Sequence, residues 1–413
     1  MQRMKQLPIG SMNIRNIPVI ALVFLATTQC EPIDQHATVE TKNLYKNIKA
    51  LARNSSKVMF GHHADTTLGA QGGHPPYLVQ TLMHDGDVQG YIFGEKQALS
   101  GYPDELSDTK GVTGQYPAVS SFDFSQFLDD RTATKTYLAK LAYARGQVIT
   151  FCQHLNNPVT GGSPWVKKDT GDVVHTVKRI LPGGDHNLKY KENLDKIADW
   201  ALNFTDSSGK LIPFIFRPLH ELNGGWFWWG LSPQTQNTAD DLKDLYKYIV
   251  TYLRDTRGVH NILYCISPDK FKTKDDYLKV YPGDDFVDIM GTDFYYMHPN
   301  QPPVSDLKRT LDDLVDMAEA RDKIPALTET GIMQNGIDSV HNFWNDHILD
   351  ILKTDSKAAR IAYILAWANH CFGSHKCQLW IPYKGHPAEG DFRNNFFNDP
   401  MTIFANQISG MYN

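Results

Sequence analysis

The chain has 413 residues, of which 41% are hydrophobic and 21% are charged, and its formal net charge is −5. This is ordinary globular composition, which argues against a disordered or fibrous protein. The slightly acidic balance and the lack of a long basic run argue against nucleic acid as a partner. Length alone would suggest roughly two or three domains, but a single barrel domain can also be this long.

The first thirty residues have the pattern of an export signal. Arg15 precedes the apolar stretch Ile17–Ala26, which is too short to span a membrane. Cys30 follows where a bacterial lipoprotein is cleaved and lipidated, although the Thr-Gln pair before it departs from the usual small-residue motif. We therefore expect residues 1–30 to be a signal peptide, ending either in a lipid anchor on Cys30 or in simple cleavage. Both outcomes predict an exported protein of a Gram-negative bacterium, in the periplasm or on the outer membrane.

Residues 31–413 alternate between apolar runs typical of buried strands and patterns typical of amphipathic helices. The predicted strands are Val58–His62, Ala118–Phe122, Gln147–Gln153, Leu211–Leu219, Ile262–Ser267, Phe286–Thr292, Ile324–Thr328 and Ile361–Ala366. The helices predicted between them include Thr134–Arg145, Glu192–Phe204, Thr238–Thr256, Ser305–Arg321 and His341–Thr354. This alternation predicts one α/β domain, a closed parallel (β/α)8 TIM barrel. An open doubly wound sheet is less favoured, because Gly61–Asp65 is not a glycine-rich phosphate loop.

Polar or aromatic side chains follow seven of the eight predicted strands. The carboxyl ends of the strands form the face of a barrel on which active sites are built. The side chains at these ends are His62, His63 and Asp65; Asp123; His154 and Asn157; Arg217, His220 and Glu221; Asp293 and Tyr295; Glu329; and Trp367 and Asn369. The pattern predicts a single site at this face.

The run Arg217–Gly230 is the most informative segment of the chain. It places an arginine, a histidine, a carboxylate and three tryptophans after the fourth strand, which suits a sugar-binding cleft. Glu221 lies in this run, and Glu329 ends the seventh strand, which faces the fourth across a small barrel. Hydrolysis of a glycosidic bond uses two carboxyl groups, about 5–5.5 Å apart in retaining enzymes. We predict that these two glutamates are a catalytic pair; the alternatives are an aromatic core turn with a solvated Glu221 and a salt-bridged or helix-capping Glu329.

These motifs resemble glycoside hydrolase family 26, whose commonest activity is β-1,4-mannanase. The resemblance is carried by Arg217–Gly224 followed by Trp226–Gly230 and by Thr328–Gly331, and it extends from Phe60–His62 to Trp367–Asn369. It implies a retaining double displacement in which Glu221 is the acid/base and Glu329 is the nucleophile. It also implies a β-mannan polysaccharide or oligosaccharide as the partner, no cofactor and no metal, and we expect a monomer.

The resemblance further implies roles for residues around the two glutamates. Glu221 must be protonated in the first step, so apolar surroundings and an ionised partner should raise its pKa. Trp226 is expected to supply part of that apolar wall. Tyr295 is expected to donate a hydrogen bond to Glu329 and keep it ionised, with Tyr296 as the competing candidate.

The complete set of predicted substrate-binding residues is His154, Trp165, His220, Trp226, Asp293, Tyr295 and Trp367. His154 and Trp165 resemble family positions that contact the sugar just before the cleaved bond. His220 would be a neighbour of Tyr295 in the nucleophile's network, and Trp367 resembles a stacking platform. Ala368 stands where the family often has arginine, so any contact made by that arginine is in doubt.

Two clusters allow a metal interpretation. His62, His63 and Asp65 could be metal ligands, although binding sugar hydroxyls or bracing the barrel is more favoured. Cys371 and Cys377 could form a disulfide, or could join the neighbouring His370 and His375 at a zinc site whose spacing is unusual. The two remaining cysteines of the mature chain, Cys152 and Cys265, lie in apolar runs and are expected to be buried thiols.

The mode of action and the sugar remain open at this point. Two long charged segments, Ala98–Tyr116 and Pro164–Lys191, could wall off the cleft so that mannobiose is released from chain ends, or could be solvated loops beside an endo-acting cleft. The same fold and glutamate pair would also serve a β-1,3-1,4-glucanase or a β-1,3-xylanase. An alternative of another class is a non-catalytic carbohydrate-binding lipoprotein.

Overall fold

Eight parallel strands pair in sequence order, and the first also pairs with the last, which closes a barrel. We label them β1 Val58–His63, β2 Val119–Asp123, β3 Val148–Cys152, β4 Phe214–Arg217, β5 Ile262–Ile266, β6 Ile289–Met297, β7 Ile324–Met333 and β8 Tyr363–Ala366. A short strand at Thr402–Ile403 also pairs with β1. The (β/α)8 barrel predicted from the alternation of strands and helices is therefore confirmed.

The structure, a computed structural model, describes residues 31–54, 56–70, 77–82, 88–92, 95–99, 106–125, 131–298, 300, 302–372 and 376–413. Its helices are α1 Val39–Asn54, α2 Asp108–Thr113, α3 Arg131–Ala144, α4 Thr176–Ile180, α5 Asn187–Asn203, α6 Ala239–Thr251, α7 Lys274–Val280, α8 Val304–Ala320, α9 Asp350–Thr354 and α10 Glu389–Asp391. Glu31–Asn413 forms one compact unit. The expected signal peptide and the Cys30 anchor lie outside the described residues.

The barrel closes tightly at Gly61 in β1. This residue pairs with Leu365 of β8 and with Val119 of β2. A Cβ atom at this position would lie 3.0 Å from the Cβ of Val119 and 3.2 Å from Leu365. A glycine is therefore needed where both neighbouring strands approach.

The helices cover the barrel through apolar stripes at helical spacing. In α8, Leu307, Leu311, Leu314 and Ala318 are buried on one face. α6 begins at a capping box in which the Thr238 hydroxyl accepts from the backbone N–H three residues later. Burial of such stripes, rather than helix propensity alone, is what holds helices of this length in place.

The predicted strands are all present, and their bounds differ most for β4, β6 and β7. β7 runs to Met333, past its predicted end at Thr328. β4 is shorter than the predicted Leu211–Leu219, because Pro213 cannot donate to a ladder and Leu219 takes a left-handed φ of 54°. β6 begins after a 3-10 turn at Asp284–Phe286 and runs past the predicted end. Its ladder with β7 shifts register between Thr292 and Asp293. Such a bulge re-aims side chains at the mouth of a barrel.

The two charged segments are not simple solvated loops. Ala98–Tyr116 contributes to a strand at Glu95–Leu99 and contains α2, in which Asp108 is completely buried, while residues 100–105 lie outside the described part. Pro164–Lys191 holds a 3-10 turn at Val166–Lys168 and α4, and it ends in α5. An unpredicted antiparallel sheet precedes α2, with strands Leu68–Gly69, Tyr77–Leu82, Val88–Ile92 and Glu95–Leu99.

The cysteines follow the buried-thiol and disulfide interpretations. Cys152 and Cys265 are buried and free, whereas Cys377 is disulfide-bonded. The Cα partner of Cys377 in the hairpin of His370–Phe372 with Lys376–Gln378 is Cys371. A disulfide sulfur cannot act as a thiolate ligand, so the zinc interpretation at Cys377 is wrong; His375 lies outside the described residues. Within the described residues, no helix combines the length and apolar character that a bilayer span requires.

Candidate active site

A buried arginine connects the carboxyl ends of β4, β6 and β7. Arg217 donates through Nη1 to Ser267 Oγ and to Asp293 Oδ2, both at 2.9 Å, and through Nη2 to Glu329 Oε1. Burial would lower the pKa of Arg217, but the two carboxylates raise it well above its ordinary value. The guanidinium therefore stays charged and fixes one oxygen of Glu329.

Asp293 lies behind this arginine rather than in the cleft. It is completely buried, and its second oxygen accepts a hydrogen bond of 2.6 Å from the Thr328 hydroxyl. Both oxygens are thus occupied within the protein. This placement differs from the predicted substrate contact, because the register shift between β6 and β7 turns Asp293 toward Arg217.

Tyr295 contacts the second oxygen of Glu329, as the resemblance implied. Its hydroxyl donates to Glu329 Oε2 at 2.7 Å. Burial and the nearby Glu329 hold the pKa of Tyr295 well above its ordinary value, so the hydroxyl remains a donor. Tyr296 points to the opposite face of the strand, where its ring packs in the core against Phe294 and Phe343. The competing assignment is therefore wrong, and Glu329 is held by one donor on each oxygen.

Glu221 lies in a strained turn just after β4. Both Leu219 and Glu221 have left-handed backbone, with φ of 54° and 53°. Such a conformation costs roughly 1–3 kcal/mol for a residue other than glycine, and it persists where the surroundings enforce it. The backbone N–H of Glu221 donates to Ser267 O at 2.7 Å, and its carbonyl accepts from Gly224 N at 2.8 Å.

Trp226 contacts the Glu221 carboxyl through its polar edge. The indole Nε1–H donates to Glu221 Oε2 at 2.5 Å, so the predicted apolar wall is incomplete as a description of this residue. Burial is the largest influence on the Glu221 pKa, followed by the negative charges of Glu329 and Asp269, and together they raise it to about 8. The Trp226 hydrogen bond opposes that rise. Glu221 is therefore protonated at neutral pH, which is the state a general acid requires.

The two glutamates are close enough for double displacement. One carboxylate oxygen of Glu221 lies within 4.8 Å of one of Glu329. Retaining enzymes have their carboxyl groups about 5–5.5 Å apart, whereas inverting enzymes leave about 6.5–9.5 Å for a water molecule. The geometry favours the retaining arrangement. It disfavours both a solvated Glu221 and a helix-capping Glu329, because both residues are buried.

Two histidines and an aspartate form a chain beside this pair. Asp123 Oδ2 and His154 Nδ1 lie 2.7 Å apart, and His154 Nε2 lies 3.1 Å from His220 Nε2. The His220 ring, expected as a neighbour in the network around Glu329, therefore makes its hydrogen bond to His154. Burial would raise the pKa of Asp123, but His154 and Lys135 lower it below its usual range. Burial lowers the pKa of His220, so its ring is neutral.

Aromatic rings surround the His154 ring. Trp165 is 39% exposed and packs against Phe227, with ring centroids 4.6 Å apart. Trp367 stacks on His63 at 4.0 Å and lies 5.9 Å from His154. A cavity of about 260 Å³ adjoins Trp367 and is also lined by Asp123, Lys135 and Ala368. The exposed Trp165 and the half-buried Trp367 thus lie on the His154 side of the cleft.

Trp228 and Trp229 belong to the core. Both are 1% exposed. Their indole N–H groups donate to the backbone oxygens of Leu155 and His220. The tryptophans after Glu221 therefore have different roles: Trp226 contacts the Glu221 carboxyl, whereas Trp228 and Trp229 pack in the core and hold the loop in place.

The first-strand residues brace the barrel internally. His62 Nδ1 contacts Asp65 Oδ1 at 2.7 Å, and Asp65 also accepts from the hydroxyl of Ser107, the N-cap of α2, and from Thr109 in the first turn of α2. Asn369 also makes an internal contact, since its side chain donates to Asp108 Oδ2 at 2.8 Å. His63 contacts Ser121 and supports Trp367 from behind. This arrangement favours the bracing interpretation over metal binding for this cluster.

Two groups of potential metal ligands occur among the described residues, and neither includes the first-strand histidines. They are Asp123, Cys152 and His154, and Glu221, Asp293 and Glu329. In the first group burial raises the pKa of the Cys152 thiol, and the His154 nitrogen is bonded to Asp123. In the second group Arg217 already supplies a positive charge. Internal pairing accounts for both groups.

Two residues of this site were not assigned a role from the sequence. Arg217 and Asp123 were recognised only as polar residues at strand ends. The signal that could have identified them is their position, because a charged residue inside an apolar strand must find a buried partner. The identity of that partner depends on neighbours 76 to 112 positions away for Arg217, which the pattern of one strand does not contain.

Comparison with known proteins agrees with these motifs. A model of glycosyl hydrolase family 26 matches residues 33–372. The chain belongs to this family. It is 35% identical over 310 residues to a mannan endo-1,4-beta-mannosidase of Bifidobacterium adolescentis, which covers 69% of this chain and only 30% of that protein. A Bacillus subtilis mannan endo-1,4-beta-mannosidase is 30% identical over 64% of this chain and 69% of its own length.

Solved structures give the same result over nearly the whole chain. The protein GH26C from Muricauda sp. MAR_2010_75 superimposes with a TM-score of 0.78 at 29% identity, covering 92% of this chain and 96% of that one. A family 26 β-mannanase from Bacteroides ovatus superimposes with a TM-score of 0.74 at 30% identity, covering 91% of this chain and 98% of that one.

Proposed function

We propose that this family 26 protein is a retaining glycoside hydrolase of the mannan endo-1,4-β-mannosidase type. It would cleave β-1,4-mannosidic linkages in mannans, galactomannans or manno-oligosaccharides. The observation that carries the proposal is the pair of buried carboxyl groups within 4.8 Å of each other, in different environments. Glu221 has a pKa raised to about 8, whereas Glu329 accepts hydrogen bonds from a charged arginine and from Tyr295. One group is thus prepared to donate a proton and the other to attack.

The first step uses each group in its prepared state. The Glu329 carboxylate attacks the anomeric carbon, the glycosidic C–O bond breaks, and the proton of Glu221 moves to the departing oxygen. The products are a sugar ester of Glu329 and an alcohol. In the second step the Glu221 carboxylate takes a proton from water, whose oxygen attacks the anomeric carbon and releases Glu329 as a carboxylate. Both glutamates end in their starting states, and the anomeric configuration is retained.

The sugar assignment is supported by the relatives. The proteins named above as mannosidases or mannanases match from 64% to 91% of this chain. Trp165 offers an exposed ring, and the half-buried Trp367 lines a cavity of about 260 Å³, so a pyranose face can stack on either ring. The length of the products is an outcome of the experiment below, since both endo-acting cleavage and release of mannobiose use the same two glutamates.

The test is release of reducing ends from linear β-1,4-mannan, galactomannan, mixed-linkage β-glucan and β-1,3-xylan, with product lengths determined by chromatography. We expect release from the two mannans, and a loss of roughly 10³-fold or more in the Glu329→Ala variant. Unchanged release by that variant would refute the mechanism. Preference for the glucan or the xylan would refute the sugar assignment. Binding of mannan without release by the unaltered chain would favour a carbohydrate-binding protein.

We also propose that residues 1–30 export the chain and that Cys30 receives a lipid. The support is the apolar stretch Ile17–Ala26 with the cysteine that follows it. Incorporation of labelled palmitate in a Gram-negative host should occur in the full chain and be lost in Cys30→Ala. Release of unlabelled protein into the periplasm would favour simple cleavage instead.

A further inference from the structure

We propose that Asn223 is a positioning residue that holds the Glu221 turn in place by pairing with the backbone of Asp269. This inference rests on the proposed function, in which Glu221 is the acid/base. Asn223 follows Glu221 by two positions, and Asp269 lies in the loop after β5. The residue would act through Glu221 without contacting the substrate.

The contact consists of two reciprocal hydrogen bonds. The side-chain Nδ2 of Asn223 donates to the backbone oxygen of Asp269 at 3.0 Å, and the backbone N–H of Asp269 donates to Asn223 Oδ1 at 2.7 Å. The amide therefore pairs with Asp269 as a neighbouring strand would. Only Asn and Gln carry a donor and an acceptor in this planar arrangement, and Gln is longer by one methylene.

The loop after β5, to which Asn223 is hydrogen-bonded, is also connected to the candidate active site. In this loop the backbone oxygen of Ser267 accepts from the N–H of Glu221, and the backbone oxygen of Pro268 accepts from the N–H of Asp293. A displacement of the loop would therefore disturb the backbone of both Glu221 and Asp293. The Asn223 pairing is the side-chain part of this connection between the loops after β4 and β5.

The turn needs such a restraint because its backbone conformation is unfavourable. Leu219 and Glu221 are both left-handed, which favours relaxation toward ordinary backbone if the contacts are lost. Gly224 ends the turn, and Trp226 packs directly on it, since a Cβ atom at Gly224 would lie 2.5 Å from the indole ring. The indole that donates to Glu221 thus rests on the same turn that Asn223 holds. Release of Asn223 would disturb both the backbone and the hydrogen-bond partner of the acid.

The test compares two substrates that differ in how much acid assistance their leaving groups need. A dinitrophenyl β-mannoside needs little protonation of its leaving group, whereas a manno-oligosaccharide needs it fully. We expect Asn223→Ala to lower kcat/KM roughly 10- to 100-fold on the oligosaccharide, as a displacement near 1 Å would. The loss on the dinitrophenyl substrate should be at least fivefold smaller. Asn223→Asp keeps the acceptor but loses the donor, and should behave like the alanine variant.

Asn261→Ala is the matched control. Asn261 is also an asparagine that joins two backbone segments, through Ala201 O and Ile212 O, but it precedes β5 at the opposite end of the barrel. It should lower the melting temperature and leave the ratio of activities on the two substrates unchanged. Equal losses on both substrates in the folded Asn223 variants would overturn the inference.

Glu221→Ala, measured in parallel, separates this inference from the proposed function. If that variant loses activity selectively on the oligosaccharide while the Asn223 variants do not, only the positioning role is wrong. If Glu221→Ala shows no such selectivity, the acid/base assignment fails and the inference fails with it.

Discussion

Replacing Trp226 with phenylalanine should move the upper limit of the pH profile to higher pH. The indole N–H donates to Glu221 Oε2 at 2.5 Å and opposes the influences that raise the Glu221 pKa. Phenylalanine keeps most of the ring but removes the donor. The ionised form of Glu221 then loses more stabilisation than the protonated form, so the pKa must rise.

The size of the shift follows from the charge of the acceptor. Hydrogen bonds to charged groups contribute about 1.5–3 kcal/mol and those to neutral groups about 0.5–1.5 kcal/mol, a difference of roughly 1–1.5 kcal/mol. One pKa unit corresponds to about 1.36 kcal/mol. We therefore expect an increase of about 1 unit from the starting value of about 8.

The measurement is kcat/KM on a manno-oligosaccharide as a function of pH, because its limits report the free protein. The first step requires protonated Glu221, so the basic limit should move upward by about 1 pH unit. Trp228→Phe is the control, since its indole donates to the backbone oxygen of Leu155 and not to a carboxyl group. A basic limit that stays in place or moves downward in Trp226→Phe would refute the reasoning.

Three further variants test the charges and hydrogen bonds of the site. Folding raises the pKa of Glu221 from 4.5 to about 8, so the unfolded chain loses this proton first and the stability of the fold decreases as the pH rises from 4.5 to 8. The melting temperature of Glu221→Gln should therefore exceed that of the unaltered chain by an amount that grows over this pH range. A difference that stays constant with pH would contradict this. Tyr295→Phe should lower kcat/KM roughly 10- to 100-fold, because it removes a donor of about 1.5–3 kcal/mol to Glu329, whereas Tyr296→Phe, at a ring packed in the core, should stay within about twofold; equal effects would argue against the Tyr295 contact. Arg217→Lys should lower kcat/KM at least 100-fold in protein shown to be folded by circular dichroism, because one ammonium group cannot reproduce the fork that holds two carboxylates and a hydroxyl; near-normal activity would be incompatible with that geometry.

The barrel could be predicted from the sequence because its strands are buried on both faces. Ile262–Ile266 is an uninterrupted apolar run, and all five residues are buried. The end of β4 was harder, since Leu219 is apolar and buried yet lies in a turn. Apolar character reports burial, whereas the end of a strand is decided by backbone conformation. The antiparallel sheet before α2 gave no comparable signal, because a strand such as Glu95–Leu99 combines charged and polar residues.

In the candidate site, too, some features could be predicted from the sequence and others could not. Glu221, Glu329 and Tyr295 could be placed because each follows the end of a predicted strand, and parallel strands bring such side chains to the same face of a barrel. In the structure β6 and β7 continue past Tyr295 and Glu329, to Met297 and Met333. The assignment of Trp226 as an apolar wall missed its hydrogen bond, because that contact depends on a turn that folds back across Gly224. The sequence left open whether the charges of Ala98–Tyr116 are solvated, whereas Asp108 in that segment is buried and accepts from Ala70 N and Asn369 Nδ2. The partners of Asp108 lie 38 and 261 positions away in the chain, so the local sequence pattern cannot identify them.

The environment of Glu221 accounts for how one carboxyl group could serve as acid and then as base. Apart from burial, the largest influence that raises its pKa is the negative charge of Glu329. In the proposed first step that charge disappears, because Glu329 becomes a neutral ester. The pKa of Glu221 must then fall, and the Trp226 hydrogen bond acts in the same direction by stabilising the carboxylate. The donor should therefore matter more for the second step, in which Glu221 accepts a proton from water, than for the first. In Trp226→Phe, a substrate with an activated leaving group should accumulate the sugar ester of Glu329, visible as a burst of released phenolate before the steady state.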